Sequence, residues 1–196
     1  KTIWLRLKLI ADVGISGLPN AGKSTFLSVI SNAKPKIASY PFTTVRPNLG
    51  VVFIDNEELV FADIPGLIRG AHKGKGIGTR FLGHVERCSL LIHLLDATSD
   101  RLIEDYHTVI NELEHYGGKL VFKKRVTVLT KIDALPNDVI KEREAELREV
   151  TKNIFSVSSV SGKGIKRLLR AIREITNREA AEVKEKLEEG FPRWSP

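Results

Sequence analysis

Eight residues near the start of the chain restrict its fold more than any other feature. Gly17, Leu18, Pro19, Asn20, Ala21, Gly22, Lys23 and Ser24 spell the phosphate-loop pattern G-x-x-x-x-G-K-[ST]. The flanks suit the motif as well as its letters do. Residues 9–15 are mostly apolar and read as a buried strand, while residues 24–31 carry Phe26, Leu27 and Ile30 at the spacing of one helix face. A strand, a glycine turn and a helix start gather backbone N–H groups where the helix dipole favours an anion. Gly17 and Gly22 let the backbone turn toward phosphate oxygens. Lys23 brings a point charge to the β- and γ-phosphates, and the Ser24 hydroxyl, with Thr25 beside it, is placed for Mg²⁺. The pattern implies a bound nucleoside triphosphate.

The rest of the chain has the means to house such a loop. Its 196 residues, 42% hydrophobic and 28% charged, suit one globular domain with a short appendage. Cys88 is the single cysteine, so no internal disulfide forms; this fits the cytoplasm, an organelle matrix staying open, and the thiol reads as packed rather than reactive. No run approaches the roughly 18 apolar residues of a membrane span, and no signal peptide opens the chain. It contains no Met and starts at Lys1, which suggests a segment of a longer protein. The net charge of +7 and pI near 9.5 are compatible with a polyanion such as RNA. The basic residues are scattered, however, so a solvated basic surface accounts for them equally well.

Strand and helix patterns alternate along the chain. Residues 51–62 read as a hairpin broken by the polar stretch 55–58, and residues 90–96 as a strand buried on both faces. Helical patterns over 101–116, 138–149 and 165–175 alternate with strands at 126–130 and 153–157. This order predicts an α/β fold: a doubly wound, mostly parallel sheet with one early antiparallel hairpin, its ligand at the carboxyl ends of the strands.

Two further motifs select the ligand. Asp63, Ile64, Pro65 and Gly66 follow a strand pattern, so Asp63 is placed to hold Mg²⁺ through water while the Gly66 N–H meets a γ-phosphate. Thr130, Lys131, Ile132 and Asp133 end a buried strand pattern. Asp133 offers a carboxylate to the N1–H and exocyclic amine of guanine, a donor pair that adenine lacks, and the Lys131 stem can lie over the base. Ser158, Ser159 and Val160 come just after the next strand and offer backbone N–H groups to complete a base pocket.

With these boxes the chain resembles the G domain of the Obg family of GTPases, from residue 7 to about residue 175. Residues 32–44 resemble that family's first switch, residues 46–52 the stretch after it, and residues 63–78 with 81–87 its glycine-rich second switch. The resemblance implies a Ras-like G domain of the P-loop NTPase class over residues 9–176, preceded by a linker remnant (1–8) and followed by a helical extension and tail (177–196). It implies GTP and GDP as ligands, Mg²⁺ as cofactor, a monomer, and the large ribosomal subunit or its RNA as partner. Thr44 becomes the switch threonine that joins Ser24 on Mg²⁺, with Phe42, Thr43, Val45 and Arg46 closing over the nucleotide. Two positions depart from the family: Thr130 stands where Asn is usual, and Arg69 where Glu is usual.

The catalytic outline is incomplete in an informative way. Lys23, Thr44 and Gly66 supply charge, metal contact and a backbone donor. Ras-like proteins orient the attacking water with a Gln just after the Asp-x-x-Gly box; here that residue is Leu67, which has no hydrogen-bonding group. Slow intrinsic hydrolysis is the expectation. Asn20 resembles the asparagine that helps hold K⁺ in potassium-stimulated relatives, although Asn also suits a turn for purely local reasons. A nucleotide-responsive binding module with incidental hydrolysis remains open beside the switch reading. An Obg-like ATPase fits less well, since its base box lacks the Lys-x-Asp of Lys131 and Asp133. The histidines, His72, His84, His93, His107 and His115, show no metal-ligand spacing, and the charged run at 141–146 reads as a solvated helix face.

Overall fold

The computed structural model describes residues 11–37, 47–63, 88–116 and 122–190. Its elements run β1 (Val13–Ser16), α1 (Lys23–Ile30), β2 (Lys36–Ile37), β3 (Asn48–Ile54), β4 (Glu57–Asp63), β5 (Leu90–Asp96) and α2 (Leu102–Tyr116). They continue with β6 (Arg125–Thr130), a 3-10 turn (Ile132–Ala134), α3 (Asn137–Arg148), β7 (Ile154–Ser156) and α4 (Ile165–Gly190). The strands form one sheet in the order β2-β3-β4-β1-β5-β6-β7. β1 pairs in parallel with β4 and β5, as do β5 with β6 and β6 with β7. Only the β2–β3 and β3–β4 pairs are antiparallel. The expected doubly wound sheet with an early hairpin is the observed one.

Side-chain alternation sends each central strand's residues to two faces. On one face, Val13 and Ile15 of β1, Ile92 and Leu94 of β5, and Val126 and Val128 of β6 pack with Phe26, Leu27 and Ile30 of α1 and with Ile165, Leu168 and Ile172 of α4. On the other, Leu95 and Leu129 meet Leu102 of α2 and Ile140 and Leu147 of α3. The helices bury these residues because their apolar positions recur every three or four residues. β1 and β5, covered on both faces, are apolar almost throughout.

Two local features differ from the sequence expectation. The hairpin break is tighter than residues 55–58: Asp55 and Asn56 alone make the turn, with φ of 45° and 73°. Two successive positive φ values give the primed turn whose twist matches the flanking strands. The short strand β2 lies within the stretch read as a first switch; two residues at a sheet edge carry no periodic signal. The last helix, α4, runs unbroken to Gly190, with the buried Thr176 hydroxyl donating to the Ile172 carbonyl at 3.1 Å. Among the described residues, no helix is long and apolar enough to cross a membrane.

Candidate functional site

The carboxyl ends of the parallel strands meet at one edge of the sheet, and the sequence motifs sit there in spatial order. β1 runs into the phosphate loop. Gly17 has φ 149°, and a Cβ on it would strike the Leu94 carbonyl of β5, so only glycine lets the loop leave the strand so close to its neighbour. Asn20 takes a left-handed conformation at φ 65°, which Asn tolerates better than most residues. Ala21 is buried, and Gly22 caps α1 in the left-handed region. No side chain caps α1 and no acidic residue occupies its first turn, so its N–H groups are left for an anion. Leu18 is half-buried and Pro19 exposed beside them. A cavity of about 490 Å³ opens over this loop, lined by Asn20, Gly22, Lys23, Ser24, Thr25 and Lys131.

Polar groups in the phosphate corner have bonding capacity to spare. The Lys23 ammonium donates to the Gly17 and Leu18 carbonyls, both at 2.9 Å, folding back over its own loop. Burial holds its pKa below the ordinary lysine value, with Asp63 pulling the other way. Asp63, at the end of β4, is 4% exposed. Burial raises its pKa, opposed by the Lys23 charge and by hydrogen bonds from Ser24 and Asn48. The Ser24 hydroxyl donates to Asp63 Oδ2 at 3.2 Å, while Oδ1 is buried with no hydrogen-bond partner. A buried carboxylate oxygen lacking a partner, next to a hydroxyl on a helix N-terminus, is a hard oxygen set that fits Mg²⁺ completed by water and phosphate.

The base corner is tied more fully. The buried Thr130 hydroxyl lies 3.0 Å from the Ala21 carbonyl and 2.9 Å from the Leu95 carbonyl, and its one proton is shared between them. The residue standing where Asn is usual thus ties β6 to the phosphate loop and turns its hydroxyl to the backbone. Lys131 follows in the left-handed region at φ 58°, and its ammonium pairs with Asp96 Oδ2 at 2.6 Å. Burial alone would raise the Asp96 pKa; hydrogen bonds from Lys131 and Thr98 bring it below the usual value. Ile132 is buried under the 3-10 turn, and Asp133 extends from that turn into solvent. One expectation is corrected: the Ser158 N–H is committed to the Lys163 carbonyl at 3.0 Å, because the chain doubles back before α4. Among the described residues, the Ser159 and Val160 N–H groups have no protein acceptor, and Val160 is 83% exposed.

Several expected site residues lie outside the described residues: Phe42, Thr43, Thr44, Val45, Arg46, Ile64, Pro65 and Gly66, with Leu67, Arg69 and His72. Two residues were missed by the sequence reading, Asp96 and Asn48. Asp96 had a weak signal, as the polar last residue of a buried strand pattern; Asn48 fell within the stretch 46–52 but had no signal of a site role. Of the residues set aside, Cys88 is buried, its thiol pushed up to about 12 chiefly by burial, as an inert packed cysteine should be.

Comparison with known proteins agrees with this geometry. The family described as "50S ribosome-binding GTPase" matches residues 12–131. Among similar solved structures, a putative nucleolar GTP-binding protein 1 from Plasmodium falciparum is 22% identical, covering 90% of this chain and 91% of that one, with a TM-score of 0.66. The G domain of the T. maritima FeoB iron transporter is 23% identical over 83% of this chain and 96% of its own, TM-score 0.61. Era, solved with MgGDPNP and a segment of 16S ribosomal RNA, is 27% identical over 84% of this chain and 56% of its own, TM-score 0.62. These findings correct the resemblance to the Obg family. The match is to the broader family, and its relatives here are FeoB, Era and a nucleolar GTPase. The physical reason is that the described boxes, the phosphate loop, Asp63 and Thr130 to Asp133, perform tasks any G domain must perform, so they do not separate its branches. The chain is a P-loop G domain that binds GTP, and it belongs to the 50S ribosome-binding GTPase family.

Proposed function

We propose that this G domain is a slow GTP-hydrolysing switch that acts on the large ribosomal subunit, in its assembly and in growth or stress control. One observation carries the switch reading: Ser24 of α1 and Asp63 of β4 meet at 3.2 Å over the phosphate loop, with Asp63 Oδ1 unpartnered. Such a corner changes its bonding when a phosphate and metal arrive, and both stretches read as switches adjoin it in sequence. The family description supports the ribosomal target, and the net charge of +7 is compatible with it. Era's complex is with 16S ribosomal RNA, the RNA of the small subunit; it is a property of that protein and supports a ribosomal RNA target in general, not the large subunit.

In this reading Lys23 leaves the Gly17 and Leu18 carbonyls for the β- and γ-phosphates, and the α1 N–H groups bind the phosphate oxygens. Ser24 and Asp63 would hold Mg²⁺, Asp63 through water and with Thr44 joining them, and the ion would supply positive charge to the phosphates. Water attacks the γ-phosphorus, the bond to the β-bridging oxygen breaks, and GDP and inorganic phosphate leave. Leu67 cannot orient that water, so turnover is slow until a partner or a cation assists. In this reading Asn20, exposed on the rim of the cavity, would help hold K⁺, whose charge would assist the transition state.

GTP turnover measured with and without 50S particles, in K⁺ and in Na⁺, tests the proposal. Slow turnover alone, with marked acceleration by the particles, is the expected result. Unchanged turnover with particles that nonetheless bind would reduce hydrolysis to an incidental property of a binding module. Equal rates in K⁺ and Na⁺ would remove the role of Asn20.

A further inference from the structure

Asn48 lies in the stretch 46–52, where the sequence reading gave it no site role, yet the fold brings it to the metal corner from the β3 side. Asn48 opens β3, and in the antiparallel β3–β4 pair it stands directly opposite Asp63. Residues so opposed put their side chains on one face, with Cβ atoms about 5 Å apart. The Asn48 side chain lies near enough to the Asp63 carboxylate to help lower its pKa, and it lines one cavity with Ser24. Asp63 Oδ2 already accepts from Ser24, whereas Oδ1 has no partner.

Rigid contacts fix Asn48 in this place. The end of α1 is stapled to β3: the Asn32 N–H donates to the Val51 carbonyl at 3.0 Å, and the Phe53 N–H donates to Asn32 Oδ1 at 2.8 Å. Gly50 lies so close to α1 that a Cβ there would run into Ser31 Oγ and Leu27 Cδ1. The helix that carries Ser24 and the strand that carries Asn48 are therefore held as one unit. Asp63, on the neighbouring strand, accepts from Ser24 of that unit and stands opposite its Asn48. A carboxylate with two rotatable bonds stays in one orientation only if something holds it, and outer partners of this kind commonly set metal affinity.

We propose that Asn48 is a positioning residue: its side-chain amide holds Asp63 from the β3 side, leaving Oδ1 turned to the metal's water shell. Ser24 Oγ then has lone pairs free for the metal, while the orientation of Asp63 no longer depends on Ser24 alone. Asn48 touches neither nucleotide nor reacting atoms in this account. The inference rests on the reading of this corner as a Mg²⁺–nucleotide site.

The test is the Mg²⁺ dependence of mant-GTP binding, measured by fluorescence titration in the wild type and in Asn48→Leu. That variant keeps the side-chain volume and removes the amide. We expect its Mg²⁺ midpoint to rise about tenfold. Affinity for mant-GTP in EDTA and the thermal midpoint in EDTA should stay at wild-type values. If Asn48→Leu does not fold, Asn48→Ser, which keeps a donor, is compared with Asn48→Ala. Ser should retain most of the wild-type midpoint and Ala should not. A variant midpoint equal to the wild type's, with wild-type Mg²⁺ dependence intact, overturns the role of Asn48. Absence of Mg²⁺ dependence in the wild type itself would instead overturn the reading of the corner.

Discussion

The two halves of the nucleotide edge are built on opposite plans. In the phosphate corner, Lys23 rests on its own loop's carbonyls, Asp63 has a buried oxygen without a partner, and α1 lacks a side-chain cap. In the base corner, Thr130 is tied to Ala21 and Leu95, Lys131 to Asp96, and Ser158 to Lys163. One corner holds its groups in substitute partnerships that a ligand replaces. The other has its scaffold tied before any base arrives, while the Asp133 carboxylate and the Ser159 and Val160 N–H groups stay open. A fixed base corner lowers the cost of ordering on binding, while an exchangeable phosphate corner lets the γ-phosphate change the protein. Affinity for the nucleoside and response to the nucleotide state are thereby divided between different strands.

The comparison breaks most visibly at Lys23. Replacing it by Ala removes charge-assisted hydrogen bonds to two phosphates, and mant-GTP affinity should fall on the order of a hundredfold. Because the buried ammonium carries a desolvation cost in the free protein, thermal stability should hardly fall. A large loss of stability with little loss of affinity would mean that Lys23 is structural. Asp133→Ala comes next. It should lower GTP affinity by about tenfold and abolish any preference for GTP over ITP, which lacks the exocyclic amine. An unchanged GTP-to-ITP ratio would place base selection elsewhere. Thr130→Val keeps shape and cuts the tie between β6 and the phosphate loop. It should cost about 1 kcal/mol in stability and a few-fold in affinity for GDP and GTP alike.

A control outside both corners sharpens the contrast. His93 is fully buried in β5, stacked on Tyr106 at 5.3 Å, with neither ring nitrogen hydrogen-bonded. Burial first, and Arg125 second, lower its pKa from 6.5 to about 3. The folded protein thus binds fewer protons than the unfolded chain between these values. Its contribution to stability is complete above the unfolded pKa and is lost as pH falls toward the folded one. Across that window His93 should contribute a slope of about 1.4 kcal/mol per pH unit. His93→Phe, followed by urea unfolding at several pH values, should flatten that slope and leave mant-GTP affinity at neutral pH unchanged. A slope identical to wild type would show that His93 is not the titrating group.

Much of the fold was legible because buried parallel strands announce themselves. The run ending at Asp96 and the helix faces at Phe26, Leu27 and Ile30, or Leu168 and Ile172, have only one economical burial. The hairpin was readable too, although the turn shrank to Asp55 and Asn56, since positive φ at both positions has no periodic signature. What stayed hidden depends on pairing across distance. Asn48 matters through its register with Asp63, and Asp96 through Lys131, and strand register is not written in either local sequence. Ser158 went astray for a similar reason: its N–H is claimed by Lys163, a contact set by how the chain turns into α4. The narrower family reading failed differently: it rested on residues 32–44, 46–52, 63–78 and 81–87, most of which lie outside the described residues, and the comparisons match the broader family instead.

The most direct test of the central claim, a guanine-nucleotide switch, is displacement of mant-GDP by GTP and by ATP in saturating Mg²⁺. A site built around the Asp133 carboxylate should require on the order of a hundredfold more ATP than GTP for half displacement. Displacement by ATP at the same concentration as GTP, or lower, would contradict the account.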